Sequence, residues 1–83
     1  MEIQQFRYFL EAARYENLTK AAEDLHIAQP ALSQSIKRLE TELGVSLFDR
    51  KNHRIELNEQ GKLLKKRLIP ILESIDNLKD ELW

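Results

Sequence analysis

The sequence predicts a mainly α fold: three helices with a short β-hairpin, then one long helix. Three observations carry that reading. Apolar residues recur at helical spacing in separate segments along the 83-residue chain. The pattern changes beyond Gly44, where a polar stretch with turn-prone Asn52 is followed by alternation at 55–57. The composition, 42% apolar and 33% charged with two Gly and two Pro, is that of a globular, helix-rich chain. The length holds one small domain with one extra helix. A domain this small buries only about 60% of its unfolded surface, so a partner often adds stability.

Residues 2–15 place Ile3, Phe6, Phe9, Leu10 and Ala13 on one face, which predicts an amphipathic helix. Asn17 or Thr19 can cap a second helix over 18–25, because a short side-chain oxygen accepts an orphan backbone N–H. Ala21 or Ala22 and Leu25 form its buried face, and the small alanines admit a close neighbour. His26-Ile27-Ala28 is a tight turn. A third helix spans 29–43, with Pro30 in a first turn that needs no proline N–H and Gly44 as a stop. Asp49 to Arg54 and then Ile55-Glu56-Leu57 predict a hairpin with its tip at 51–53. Asn58 caps a last helix reaching about residue 82. In it Leu64, Leu68, Ile71, Ile75, Leu78 and Leu82 follow heptad steps, with Leu72 beside them, which predicts a seam for another helix. Pro70 inside that helix is expected to kink or split it, since the bond to the residue 66 carbonyl is lost.

A short alanine-rich helix, a three-residue turn and a second helix with a polar N-terminal half make a helix-turn-helix. The basic hairpin makes it a winged one. On helix 29–43, Leu32, Ile36, Leu39 and Leu43 form the core stripe. Pro30, Gln34, Lys37 and Thr41 centre on the opposite side, flanked by Ser33 and Arg38. Amides and cations over small residues are what a helix needs to read a major groove. The plain alternative is an ordinary solvated face.

The net charge of −1 argues against a nucleic-acid binder, but its distribution does not. Residues 28–67 hold nine basic against five acidic residues, a local +4, while 1–27 stand at −2 and 68–83 at −3. No cysteine is present, so there is no disulfide framework or thiolate metal site. His26 and His53 lack further ligands at useful spacing, so no metal or other cofactor is expected. Ser33, His26 and Asp24 make no credible triad, because Ser33 sits on an exposed helix face; no catalytic residue and no enzyme activity are expected. No run approaches the roughly 18 apolar residues that span a bilayer, and MEIQQFRYFL is unlike a signal peptide. No membrane partner and a cytoplasmic location are therefore expected. The rival reading is a helical interaction module that uses its last helix to bind a partner, with the basic middle incidental.

The stretch LTKAAEDLHIAQPALSQSIKRLETELGVSLFDR resembles the DNA-binding signature of LysR-type transcriptional regulators. MEIQQFRYFLEAARYENLTKAA before it and IELNEQGKLLKKRLIPIL after it match that family in order and spacing. The resemblance implies a winged helix-turn-helix over 1–58 and a linker helix over 59–83. It also implies a homodimer through antiparallel linker helices, and two recognition helices entering successive major grooves of an interrupted inverted repeat in double-stranded promoter DNA. It implies that Gln29, Pro30, Ala31, Ser33, Gln34 and Lys37 form the recognition surface, with Arg38 at its flank. Gln34 stands where many members have Arg. Thr19 and Lys20 lie where helix 2 meets the sugar-phosphate backbone, and His53 and Arg54 lie in the wing. The alternative for His53 is a solvated turn residue; for Arg50 it is an ion pair with Glu40, Glu42 or Asp49, which is preferred. Leu64, Leu68, Ile71, Leu72, Ile75, Leu78 and Leu82 are the expected dimer contacts, while Lys62, Lys65, Lys66 and Arg67 can simply solubilise the helix. Full-length members continue into an effector-binding domain, where a small molecule would act and where tetramers can form. The chain is therefore expected to be the DNA-binding portion of such a protein.

Overall fold

The computed structural model describes residues 1–52 and 54–83; His53, a wing candidate, lies outside the described residues. The elements run α1 (Ile3–Tyr15), α2 (Leu18–Leu25), α3 (Gln29–Leu43), β1 (Phe48–Lys51), β2 (Arg54–Leu57) and α4 (Glu59–Leu82).

Local chemistry sets most boundaries. The Gln5 side chain accepts the Glu2 N–H at 2.8 Å and starts α1. Asn17 Oδ1 accepts the Lys20 N–H at 3.0 Å, so Asn17 and not Thr19 caps α2. α2 ends on His26 in the left-handed region at φ 58°, and the Ile27 N–H returns to the Ala22 carbonyl at 3.0 Å. With the His26 N–H bonded to the Glu23 carbonyl at 3.1 Å, these features form the turn of the helix-turn-helix. Gly44, at φ 74°, ends α3, where a side chain would be strained. Asn58 Oδ1 accepts the Gly61 N–H at 2.8 Å and starts α4.

The core is built from Phe9, Leu32, Ile36, Leu39 and Leu47, all essentially sealed from solvent. Ala12, Ala13, Ala21 and Ala22 are buried at the crossings of α1, α2 and α3, where their small size lets backbones approach. Phe48 packs its ring on Phe9, 5.5 Å between centroids and tilted by 52°. The two antiparallel strands pair Phe48 with Leu57 and Lys51 with Arg54. A lone hairpin is marginal. This one is anchored by buried Phe48 and Ile55 and by an Ile55 N–H to Glu16 carbonyl bond of 3.4 Å.

Three expectations are corrected. α4 is not split at Pro70 but runs as one helix through it. Leu68 and Leu72, either side of Pro70, are both buried in the core and hold the segment helical, while Pro70 itself faces solvent. For the same reason Leu68 and Leu72 are not free seam residues: 4% and 5% exposed, they are spent on the chain's own core, with Leu64 and Ile75 half-buried against it. Finally, among the described residues Arg50 makes no ion pair. Glu40 instead accepts the Leu47 N–H at 2.7 Å, and Glu42 accepts the Met1 amine at 2.7 Å.

Glu42 is a clamp between α3 and α1, since Gln5 Nε2 also donates to it at 3.3 Å. The bond from the amine, then that from Gln5, hold its carboxyl below the usual range. A depressed folded-state pKa means stabilisation that is present above the unfolded-state value and lost as pH falls through the folded-state one. Glu42→Gln should therefore give a shallower fall in melting temperature on acidification than the unaltered chain. Parallel melts from neutral to acid pH check this; superimposable curves would refute it.

Candidate nucleic-acid interface

α3 turns its apolar stripe inward and leaves a polar ridge outward. Pro30, Ala31, Gln34, Lys37, Arg38 and Thr41 are exposed, and Gln29 and Ser33 are half-buried. The Thr41 hydroxyl is used locally, donating to the Lys37 carbonyl at 3.0 Å. Thr19 and Lys20 are exposed in the first turn of α2. Arg54 is exposed on β2, across the strand pair from Lys51.

Two grooves flank the ridge. One, of about 380 Å³, lies between the wing and the helix-turn-helix and brings Thr19 and Gln29 together with Arg50, Lys51, Asn52 and Arg54. The wing thus faces the N-terminal ends of α2 and α3 across a basic cleft. Asn52, at φ 48°, makes the tight reversal at its tip. The other groove, of about 450 Å³, sets Ala31, Gln34 and Arg38 of α3 opposite Gln4 and Tyr8 of α1. Pro30, Ser33, Lys37 and Lys20 line neither groove.

Among the described residues, the ion pairs are Met1–Glu42, Arg7–Asp76, Arg14–Glu11 and Lys62–Glu59. None engages Lys20, Lys37, Arg38, Arg50, Lys51 or Arg54. Six exposed cations on α2, α3 and the hairpin are therefore not tied up in an ion pair among the described residues, although Arg38 stands near Glu42. That arrangement attracts a polyanion with little prior rearrangement. It supplies amide and guanidinium donors on a convex helix, the form that enters a major groove.

Sequence reasoning passes over three residues of this surface: Arg50, Tyr8 and Gln4. Arg50 lies in the basic DRKNHR run, where the charge pattern favours an internal pair, while Lys51 belongs to the wing tip that the sequence already marks. Tyr8 and Gln4 carry a weaker signal: both lie off the Ile3, Phe6, Phe9 stripe of α1, and only the α1–α3 crossing shows what they face.

Comparison with known proteins places the geometry in context. The model of a family described as bacterial regulatory helix-turn-helix proteins, lysR family, matches residues 3–62. The chain is 45% identical over 82 residues to YybE of Bacillus subtilis (strain 168), an uncharacterized HTH-type transcriptional regulator, covering 99% of this chain and 28% of that one. It is 45% identical over 76 residues to the HTH-type transcriptional regulator BudR of Klebsiella aerogenes, covering 92% of this chain and 53% of that one. Among solved structures, the DNA-binding domain of BenM in complex with benA site 1 DNA superposes with a TM-score of 0.94 at 34% identity, covering 99% of this chain and 95% of that one. CbnR, a LysR family transcriptional regulator, superposes with a TM-score of 0.91 at 34% identity over 98% of this chain and 28% of that one. The chain thus spans between about a quarter and a half of these curated relatives.

Proposed function

From the membership of this chain in the lysR family of bacterial helix-turn-helix regulators, which the match over residues 3–62 establishes, we propose that it is a sequence-specific double-stranded DNA-binding module of a transcriptional regulator. The observation that carries the reading is the set of exposed cations, none held in an ion pair among the described residues, around the α3 ridge and the wing cleft. α3 is the reader, and residues 1–58 form the DNA-binding unit. Gln34 addresses base edges through its amide, and Ala31 offers a methyl contact to thymine. Lys37, Arg38, Thr19 and Lys20 meet phosphates, and Arg54 with Lys51 enters the flanking minor groove, where narrow A·T-rich sequence concentrates negative potential.

The module acts as a dimer. Ile71, Leu78 and Leu82 of α4 are 55%, 53% and 74% exposed, too much apolar surface on one stripe for a helix that works alone. Residues 59–83 are the linker that joins two copies in the cytoplasm, on promoter DNA with repeated half-sites. The module has no catalytic role, and a small-molecule effector would act through other parts of the full-length protein.

Selection of bound sequences from a random DNA pool, followed by salt titration, tests the reading. The selected sites should contain an interrupted inverted repeat. Gln34→Ala should change base preference at one position, worth about 1–3 kcal/mol for a bidentate contact. Lys37→Ala should weaken binding to all sequences and lower the salt slope by about one phosphate equivalent. Neither residue is part of the core, so both variants should melt like the unaltered chain. Unchanged preference in Gln34→Ala together with an unchanged slope in Lys37→Ala would remove α3 as the reader.

A further inference from the structure

A second surface is built from α1, α2 and α4, and none of its residues belongs to α3 or to the hairpin. Between these helices runs a groove of about 430 Å³. Leu10, Leu25, Ile69 and Leu72 give it an aliphatic floor. Glu11, Asp24, Glu73 and Asp76 give it an acidic rim drawn from all three helices. Arg7 is the cation of the lining, and Asp76 already holds it at 3.0 Å.

The other carboxylates lack close ion pairs, although hydrogen bonds from Glu11 and then Tyr15, with the Arg14 and His26 charges, hold the Asp24 carboxyl below its usual range. Among the described residues Asp24 and Glu73 make no ion pair, and Glu11 has only Arg14, at 3.5 Å. Glu11 Oε2 is shielded from solvent and has no hydrogen-bond partner. Hydrogen bonding with Asp24, then burial, then the Asp24 charge push the Glu11 carboxyl above its usual range. Two carboxyls in that position share a proton or gain from a cation. Such a rim repels phosphate, so the groove is not an extension of the DNA surface.

It is also distinct from the apolar stripe of α4. At about 100° per residue, Ile71, Leu78 and Leu82 fall within about 40° of one another, whereas Ile69, Glu73 and Asp76 centre roughly 160° further round, beyond the buried Leu68 and Leu72. A helix seated on the stripe leaves the groove open.

We infer that this groove docks a basic amphipathic segment of another protein, with a leucine-type side chain on the aliphatic floor and lysine or arginine groups on the acidic rim. Floor and rim together specify the occupant: apolar area contributes affinity, and the ring of carboxylates selects cationic partners and rejects acidic ones. A module that holds DNA with α3 presents this groove to proteins at the same site, which would couple DNA occupancy to recruitment.

The test is a fluorescence titration of a labelled helical peptide of lysine, leucine and alanine, its leucines on one face, with the 83-residue chain. A peptide of identical composition, scrambled to scatter its leucines, is the control. The amphipathic peptide should bind saturably and the scrambled one about tenfold or more weaker. The double variant Asp24→Lys with Glu73→Lys, and separately Ile69→Ser, should each weaken binding by about tenfold while DNA affinity does not fall. All three positions are exposed, so circular dichroism should be unchanged. Amide shifts on peptide addition should centre on Leu10, Leu25 and Ile69. Equal binding of both peptides, undiminished binding by the variants, or shifts centred on Ile71 and Leu78 would overturn the proposal. If the charge-reversed variant sediments as a monomer where the unaltered chain is a dimer, the Lys62–Arg67 run of a second copy is the occupant and the proposal fails.

Discussion

The double variant Ile71→Glu with Leu78→Glu should sediment as a monomer and bind a two-half-site operator about 100-fold or more weakly than the unaltered chain. Both side chains are more than half exposed, so charging them leaves the core of Phe9, Leu32 and Leu39 intact. The loss follows from linkage. In the proposed dimer, joining two recognition helices through α4 would make binding at the second half-site intramolecular, so avidity would exceed single-site affinity by about 10²–10⁴ without any new contact. Affinity for a single half-site should therefore be almost unchanged, which separates lost dimerisation from lost DNA contact. Leu68→Glu is the contrasting substitution, because Leu68 is buried in the core and a carboxylate there unfolds the domain. A double variant that remains dimeric would place the interface elsewhere.

The contrast between Leu68 and Ile71 marks how far the sequence alone could be read. Helix ends were legible because their chemistry is local: Asn17 and Asn58 each accept an N–H three residues ahead, and Gly44 takes a positive φ. The hairpin was legible because its alternation and the turn residue Asn52 lie within ten positions. The faces of α4 were not. Seven aliphatic residues at heptad-like spacing say that a helix has apolar sides, but which side its own chain covers depends on how α1 and β2 pack against it. Arg50 was misjudged for a related reason. Of its three acidic candidates, Glu40 is claimed by the Leu47 N–H and Glu42 by the Met1 amine, groups that no charge pattern displays, and Asp49 makes no ion pair among the described residues. The α3 ridge was legible as a polar face, yet its pairing with Gln4 and Tyr8 required the α1–α3 crossing. Pro70 shows tertiary packing overriding propensity, with buried neighbours on both sides keeping the helix whole.

Gly61→Ala should lower stability by about 2 kcal/mol, although alanine is the better helix former by about 1 kcal/mol. Gly61 sits in the first turn of α4, pressed under the strand entry. A Cβ built there collides with the Leu47 carbonyl oxygen and stands 2.7 Å from Leu57 Cδ2. Leu57 can rotate, but the carbonyl cannot retreat freely. It accepts the Asn58 N–H at 3.1 Å, and the Leu47 N–H on the same residue is held by Glu40 at 2.7 Å. The neighbouring Ser46 carbonyl accepts Asn58 Nδ2 at 2.9 Å, and Asn58 Oδ1 in turn caps Gly61. Making room for one methyl therefore moves a backbone segment and loosens several of these bonds. Overpacking of that kind costs about 1–3 kcal/mol, and the loosened bonds add to it, so the clash outweighs the propensity gain. For a domain of this size the melting temperature should fall by about 10 °C. Gln60→Ala, one residue earlier and exposed, should stay within about 0.5 kcal/mol and serves as the control. The same junction carries both the hairpin and α4, so Gly61→Ala should also weaken DNA binding at temperatures where the domain is still folded. A melting temperature equal to or above that of the unaltered chain would show that the Leu47 segment yields at no cost.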